Sequence, residues 1–277
     1  MKQGTVATIV VPLLRQNTAW LAQCVESAVA QSEYCEVIVV RAASTPVSNL
    51  KLLQELQCAW TNLRVVVETK PGNFPGAIND GIAAAGTGRI GFLLSDDWLE
   101  RDAVAQCVPV DADIVCTGHT TYYEDGITAL EEASRTLSMS EFSARPTLES
   151  KACYLEHFFL FRREVLLRVG GLDETIGNFP GIDDYDLIWT LLDHHASVDI
   201  VEKRLYNYRD HSGARLTLAN SQEAVRNLEK ILRKHGIAKS DVPRISKDHA
   251  RWFGRPIHEV IREEQPKKRP VADARTP

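Results

Sequence analysis

Arg89-Ile90-Gly91-Phe92-Leu93-Leu94-Ser95-Asp96-Asp97-Trp98 is an apolar run that stops at two adjacent carboxylates. A continuous apolar run bounded by turn signals suits a parallel strand covered on both faces. In open α/β sheets a ligand sits beyond the carboxyl ends of the strands, so the two acids face the place where it would bind. Successive side chains of a strand point to opposite sides. One acid is therefore available to a divalent cation and the other to a hydroxyl of the same ligand. Local sequence alone equally allows a polar turn in which an aspartate caps the next helix.

Upstream, strand-like and helix-like stretches alternate. Thr5 to Val11 is β-branched and ends at Pro12, and Trp20, Leu21, Cys24, Val25, Ala28 and Val29 follow at helical spacing with Asn17 or Thr18 as cap. Val37 to Val40 is a second strand; Leu50, Leu53, Leu56 and Trp60 mark a second helix; Leu63 to Val67 is a third strand. The loop Pro71 to Gly76 feeds a helix from Ala77 to Ala85. This alternation predicts an α/β fold with a doubly wound, mostly parallel central sheet flanked by helices. No Gly-x-Gly-x-x-Gly follows the first strand and no Gly-Lys-Ser/Thr occurs, so the ordinary dinucleotide-binding and P-loop readings lose most of their support.

Downstream the pattern is irregular. A helix near Ala103 to Cys107 and a strand near Ile114 to Thr117 precede Glu124 to Ser150, which is polar and turn-rich and reads as a mobile loop bordering the site. Cys153 to Phe161 reads as strand, Arg163 to Val169 as a short helix closed by Gly170-Gly171, and Asp183-Asp184-Tyr185-Asp186 as the start of another helix. Ser197 to Val201 reads as a last short strand, and Asn220-Ser221-Gln222-Glu223 as a capping box for an amphipathic helix. Periodicity fades after Gly236 apart from Trp252 and Phe253, so residues beyond Ala238 are expected to be dispensable for catalysis, and Gln265 to Pro277 is a basic, proline-rich tail.

The 277 residues carry a formal net charge of −5, which argues against nucleic acid as the main partner. Met1 to Val11 lacks the pattern of a signal peptide, and no apolar run approaches the ~20 residues of a membrane span. The six cysteines are scattered without Cys-x-x-Cys spacing, a pattern of reduced thiols rather than of disulfides or zinc ligands. A cytoplasmic protein is expected, with room for peripheral association at the inner face of a membrane. His119, His157, His194 and His195 show no spacing that suggests ligation. Oligomeric state is not legible.

Four ordered segments resemble family-2-type glycosyltransferases with the GT-A fold. They are Thr8-Ile9-Val10-Val11-Pro12; Gly76-Ala77-Ile78-Asn79-Asp80-Gly81-Ile82 through Ser95-Asp96-Asp97; Gly170-Gly171-Leu172-Asp173-Glu174 followed by Asp183-Asp184-Tyr185-Asp186-Leu187; and Tyr208-Arg209-Asp210-His211. The resemblance implies one catalytic domain over residues 1–240, with about 1–110 binding nucleotide and 111–240 the acceptor. Residues 241–277 remain as a partly disordered extension. It implies an inverting, metal-dependent transfer of a sugar from a nucleotide-sugar donor to a hydroxyl of a glycan, lipid-linked or small-molecule acceptor. Asp97 and His211 would hold Mn²⁺ or Mg²⁺, Asp96 would meet the ribose, and Asp184 would be the general base. Pro12, Leu14, Arg41 and Asn79 would border the donor.

The chemistry agrees with these assignments. A dication neutralises a diphosphate leaving group, carboxylate oxygen suits Mg²⁺ or Mn²⁺, and imidazole suits the latter. An attacking hydroxyl needs a positioned base. Departures from the family pattern fall on the base pocket. Where an acid pair usually receives the nucleobase, this chain has Val40-Arg41-Ala42-Ala43-Ser44-Thr45, and Leu14 stands where an aromatic is usual. Arginine only donates hydrogen bonds, so Arg41 together with backbone groups favours a base that presents acceptors. The same departures support an alternative, a non-catalytic GT-A-like domain that binds a glycan or a partner enzyme.

Overall fold

The computed structural model describes residues 7–31, 35–176, 183–212, 221–250 and 254–264. Its first half follows the alternation of the sequence. Strands β1 (Ala7–Leu13), β2 (Cys35–Arg41), β3 (Leu63–Val67) and β4 (Arg89–Phe92) are parallel, with β1 between β2 and β4. Helices α1 (Thr18–Val29), α2 (Val47–Ala59) and α3 (Phe74–Ala84) connect them. Asn17 caps α1 by accepting from the amides of Ala19 and Trp20, and Asn73 caps α3 by accepting from Gly76 N.

The remaining elements are β5 (Trp98–Leu99), α4 (Ala103–Cys107), β6 (Ile114–Tyr123), α5 (Met139–Ala144), α6 (Leu148–Tyr154), β7 (Phe159–Arg162), α7 (Arg163–Val169), α8 (Asp183–Asp193) and β8 (Val198–Asp210). One sheet results, in the order β3-β2-β1-β4-β7-β6-β8-β5. Strand β7 runs antiparallel to β4 and β6, β5 antiparallel to β8, and β6 parallel to β8.

Period-two alternation divides the core between the two faces of this sheet. Val10, Ile38, Val40 and Ile90 pack with Ile78 and Ile82 of α3 and Leu187, Ile188 and Leu191 of α8. Ile9, Val11, Val37 and Val39 pack with Leu21 and Val25 of α1, Leu53 of α2 and Val104 of α4. Gly81 lets α3 lie directly on β1, since a Cβ there would fall 2.3 Å from Val10 Cγ1.

Several expectations are corrected in the second half. Glu124 to Ser150 is an ordered, folded segment rather than a mobile loop. It holds a 3-10 turn at Glu131–Ala133, α5 and the start of α6, and it buries Leu130, Leu137 and Phe142. Reciprocal backbone bonds between His119 and Arg135, both 2.9 Å, tie it to β6. Cys153 and Tyr154 end a helix, not a strand, because Thr147 and Ser150 form a capping box that starts α6. The short strand expected at Ser197 to Val201 continues through Asp210, paired along β6.

Residues 241–277 are not a loose extension over their described part. After α9 (Ser221–Lys234) come α10 (Val242–Ala250) and α11 (Ile257–Glu264), which bury Val242, Ile245 and Val260. Asn220, Trp252, Phe253 and the tail 265–277 lie outside the described residues, as does the proposed capping box in part. Asp186 of α8 fixes α9: it accepts from Lys234 Nζ at 2.7 Å and lies 3.0 Å from His235 Nε2. Among the described residues, no helix is long and apolar enough to cross a membrane.

Candidate active site

The turn that ends β4 separates Asp96 from Asp97. The amide of Leu93 still donates to Val10 O on β1, and the amide of Asp97 closes the turn on Leu94 O at 3.1 Å. Asp97 points inward and is 1% exposed. Its Oδ2 accepts from the Tyr206 hydroxyl at 2.6 Å and its Oδ1 from the Arg209 amide at 2.7 Å. Burial pushes its carboxyl up to about 8; the charge of Asp96 adds to this, and the bonds from Tyr206 and Arg209 oppose it. The residue expected to ligate the cation is thus buried, with one internal hydrogen bond on each carboxylate oxygen.

Asp96 turns the other way, and its Oδ2 lies 3.0 Å from His211 Nε2. His211 follows the last residue of β8, and its ring is held 4.7 Å from that of Trp20 on α1. Arg209, two residues earlier, is 2% exposed. Its guanidinium lies between Trp20 and Trp98, 5.0 and 4.8 Å from their centroids. It donates to Asp96 O at 3.0 Å, to Glu124 O at 2.9 Å and to Gln23 Oε1. One buried arginine therefore fixes both the acid turn and the strand that delivers His211.

Asp184 is the second residue of α8 and has a third of its side chain accessible, at 33%. His157 Nε2 lies 3.3 Å from its Oδ2, and the Tyr185 amide donates to its Oδ1 at 2.8 Å. Burial acts to raise the carboxyl of Asp184, but the bond and charge of His157 outweigh it and hold the group below the usual carboxylate range. The reverse holds for His157. Burial lowers it, yet Asp184 and then Asp97 raise it above its ordinary value. The His157 ring stacks on Tyr206, 5.2 Å between centroids at 24°, and Tyr206 carries the bond to Asp97. Asp184 and the acid turn are therefore linked through His157 and Tyr206.

The expected donor-side residues are spread more widely. Pro12 is buried in β1, paired in register with Val40. Leu14 is 42% exposed at the rim. Arg41 ends β2 beside it and donates to Ala42 O at 3.1 Å. Asn79, expected to border the donor, bonds within the chain. Its amide nitrogen donates to Leu172 O at 3.0 Å and Glu174 Oε1 at 3.1 Å, and its oxygen accepts from Leu172 N at 2.9 Å. Asn79 thereby clamps the segment after α7 onto α3.

Sequence reasoning assigned no site role to His157, Tyr206, Arg209, Trp20 or Trp98, although Arg209 stands in the Tyr208–His211 motif and His157 was named only as lacking ligand spacing. His157 precedes β7 without any motif around it. Arg209 carried a usable signal, since it directly follows Leu205-Tyr206-Asn207-Tyr208, and a charged residue next to so apolar and aromatic a stretch must find partners if that stretch is buried.

Residues 8–170 match the model of glycosyl transferase family 2. The O-antigen biosynthesis protein RfbC of Myxococcus xanthus is 30% identical over 211 residues, which cover 75% of this chain and 16% of RfbC. A second curated relative is covered over 23% of its length, so the chain spans less than a quarter of either. Among solved structures, S. aureus TarS 1-349 in complex with UDP-GlcNAc superposes with a TM-score of 0.63 at 16% identity, covering 88% of this chain and 71% of that one. The mannosyltransferase PcManGT from Pyrobaculum calidifontis, in complex with GDP-Man and Mn²⁺, gives 0.62 at 15% identity over 90% and 71%. These two show the fold, and the family match extends over more than half of the sequence: the chain belongs to glycosyl transferase family 2 and has the GT-A fold.

Proposed function

We propose that the protein transfers a sugar from a nucleotide-sugar donor to a hydroxyl of a glycan, lipid-linked or other acceptor, with inversion and with a divalent cation at the donor diphosphate. The observation that carries this reading is the meeting of Asp96 and His211 at 3.0 Å. Adjacent corners of an octahedron with bonds of about 2.1 Å lie about 3 Å apart, so this separation suits two ligands of one ion. Carboxylate oxygen and imidazole nitrogen together suit Mn²⁺. The role expected of Asp97 passes to Asp96, because both oxygens of Asp97 are already engaged by Tyr206 and Arg209. Asp96 and His211 would hold such a cation, which would supply positive charge to a diphosphate leaving group.

The remaining work falls to residues of the chain itself. Arg209 keeps the Asp96 turn and His211 in mutual register. Asp184, kept ionised by His157, accepts the proton of the acceptor hydroxyl as that oxygen attacks the anomeric carbon. Direct displacement with one base inverts the centre. At the rim, Arg41 and backbone groups receive the nucleobase. The RfbC likeness supports a role in polysaccharide synthesis. Enzymatic function is favoured over a binding role by the convergence of Asp96, His211 and the Asp184–His157 pair on one site.

A thermal-shift panel of UDP, GDP, CDP and dTDP with and without Mn²⁺ tests the reading, since stabilisation grows with ligand concentration over dissociation constant. One diphosphate is expected to stabilise the protein, and more strongly with Mn²⁺. No response to any of them would remove the catalytic reading.

A further inference from the structure

We propose that Glu149, Cys153 and His249 form a second cation site, for a thiophilic divalent ion of the Zn²⁺ class. Glu149 and Cys153 stand four residues apart on α6, hence on one face of that helix, and His249 arrives from α10 almost a hundred residues later. One ligand atom from each lies within 4.8 Å of the other two. Glu149 Oε1 and His249 Nε2 approach to 3.7 Å. A tetrahedral Zn²⁺ with bonds of about 2.0–2.3 Å spaces its ligand atoms about 3.3–3.8 Å apart. Closing the trio onto an ion therefore takes about an ångström of side-chain adjustment, and Cys153 is exposed and able to make it.

The surroundings orient two of the three ligands. The Tyr185 hydroxyl lies 3.3 Å from Glu149 Oε1, and the Tyr185 ring packs 5.3 Å from that of His249. Outer contacts of this kind fix the orientation of the residues that touch the ion. Thiolate, imidazole and carboxylate together select Zn²⁺ over Mg²⁺ or Mn²⁺, so this site and the Asp96–His211 pair differ in preferred ion. Three protein ligands leave a position for water, and the exposure of Cys153 provides the way in. The thiol and the imidazole must both be deprotonated to ligate, so affinity rises with pH. Bound there, the ion ties α10 to α6 and, through the contacts of Tyr185 with Glu149 and His249, to the start of α8 next to Asp184. Cysteine spacing gave no sign of this, because the ligands come together only when α10 docks.

The test is a Co²⁺ titration of the full chain, reduced and stripped with chelator. The expected result is a saturable thiolate-to-cobalt charge-transfer band that Zn²⁺ displaces. Cys153→Ser should abolish the band, and His249→Ala should weaken Co²⁺ binding about tenfold or more. Cys58→Ser, at the other exposed thiol, and Asp96→Asn should leave it intact. The proposal is overturned if the wild-type protein gives no band, if the band survives Cys153→Ser, or if it disappears in Cys58→Ser. Circular dichroism of each variant confirms that a lost band reflects a lost ligand rather than a lost fold.

Discussion

Asp97 spends its carboxylate on the Tyr206 hydroxyl and the Arg209 amide inside the protein, whereas Asp96 turns to His211. The two acids should therefore respond differently to the same substitution. Asp97→Asn keeps an acceptor for the Arg209 amide and can donate to the Tyr206 oxygen, so donor binding should change by only a few-fold. Asp96→Asn replaces a hard anionic ligand with a neutral amide and should weaken Mn²⁺-dependent diphosphate binding about tenfold or more. Calorimetric titration with diphosphate and Mn²⁺ measures both, and the opposite ranking would return the cation to Asp97. Asp184→Asn should leave that binding nearly unchanged and lower kcat by about 10²–10⁴-fold. The pH profile carries a separate prediction. Asp184 sits below the usual carboxylate range because His157 outweighs burial, so the acid limb of kcat lies below that range. His157→Ala removes the opposing influence and leaves burial to act, so the limb should move to higher pH. A limb that stays in place would show that another group titrates. Motif order singled out Asp96, Asp184 and His211, but the proposed division of labour between the adjacent acids was not legible. It depends on which way a turn faces and on a tyrosine more than a hundred positions away.

Elements were legible where neighbours in sequence are neighbours in space. Strands β1 to β4 and their helices pair locally, so apolar period and turn residues located them within a few positions. The segment Glu124 to Ser150 was misread because its apolar residues are few and mixed in fate: Leu130, Leu137 and Phe142 are buried, whereas Ile127 and Leu148 are exposed. Its helices are held together by a polar contact instead, the Tyr154 hydroxyl donating to Glu141 at 2.8 Å across the α5–α6 turn. The segment after α7 was read as a motif, and its geometry explains the glycine pair. Gly171 has φ of +78°, and a Cβ there would fall 2.2 Å from Asn79 Oδ1. Gly171→Ala should therefore cost roughly 1–2 kcal/mol for the left-handed backbone, plus the disturbed Asn79 clamp. Because the two changes damage one clamp, they should not add. Denaturant unfolding of Gly171→Ala, Asn79→Ala and the double variant checks this. Strict additivity would mean that the contact is incidental.

At the scale of the whole molecule, the sheet reaches its far edge through β8 and β5, α9 and α10 add to the core on the α3–α8 face, and α11 docks on the end of β8. Fading periodicity after Gly236 suggested that everything beyond Ala238 could be removed. The structure gives that segment two attachments. Helix α10 packs against α9 and contributes the buried Val242 and Ile245. Helix α11 is fixed by Asp210, which accepts from the amides of Ile257 and His258 at 3.0 and 2.9 Å and lies 2.6 Å from His258 Nδ1. Asp210 is 1% exposed and immediately precedes His211, so α11 holds the end of the strand that delivers a proposed cation ligand. Each buried aliphatic side chain contributes at most about 1.5–3 kcal/mol, and withdrawing donors from a buried carboxylate costs about 1–3 kcal/mol or more. A chain ending at Ala238 should consequently melt well below the full chain, at about 2–4 °C per kcal/mol for a protein of this size. It should also bind diphosphate with Mn²⁺ more weakly. A chain ending at Ala250 keeps α10 and loses α11, so it should recover part of the melting temperature but little of the binding, because the contact to Asp210 is still missing. Scanning calorimetry and diphosphate titration of the two truncations separate these effects. Full-length stability and turnover in the shorter chain would show that neither helix supports the site.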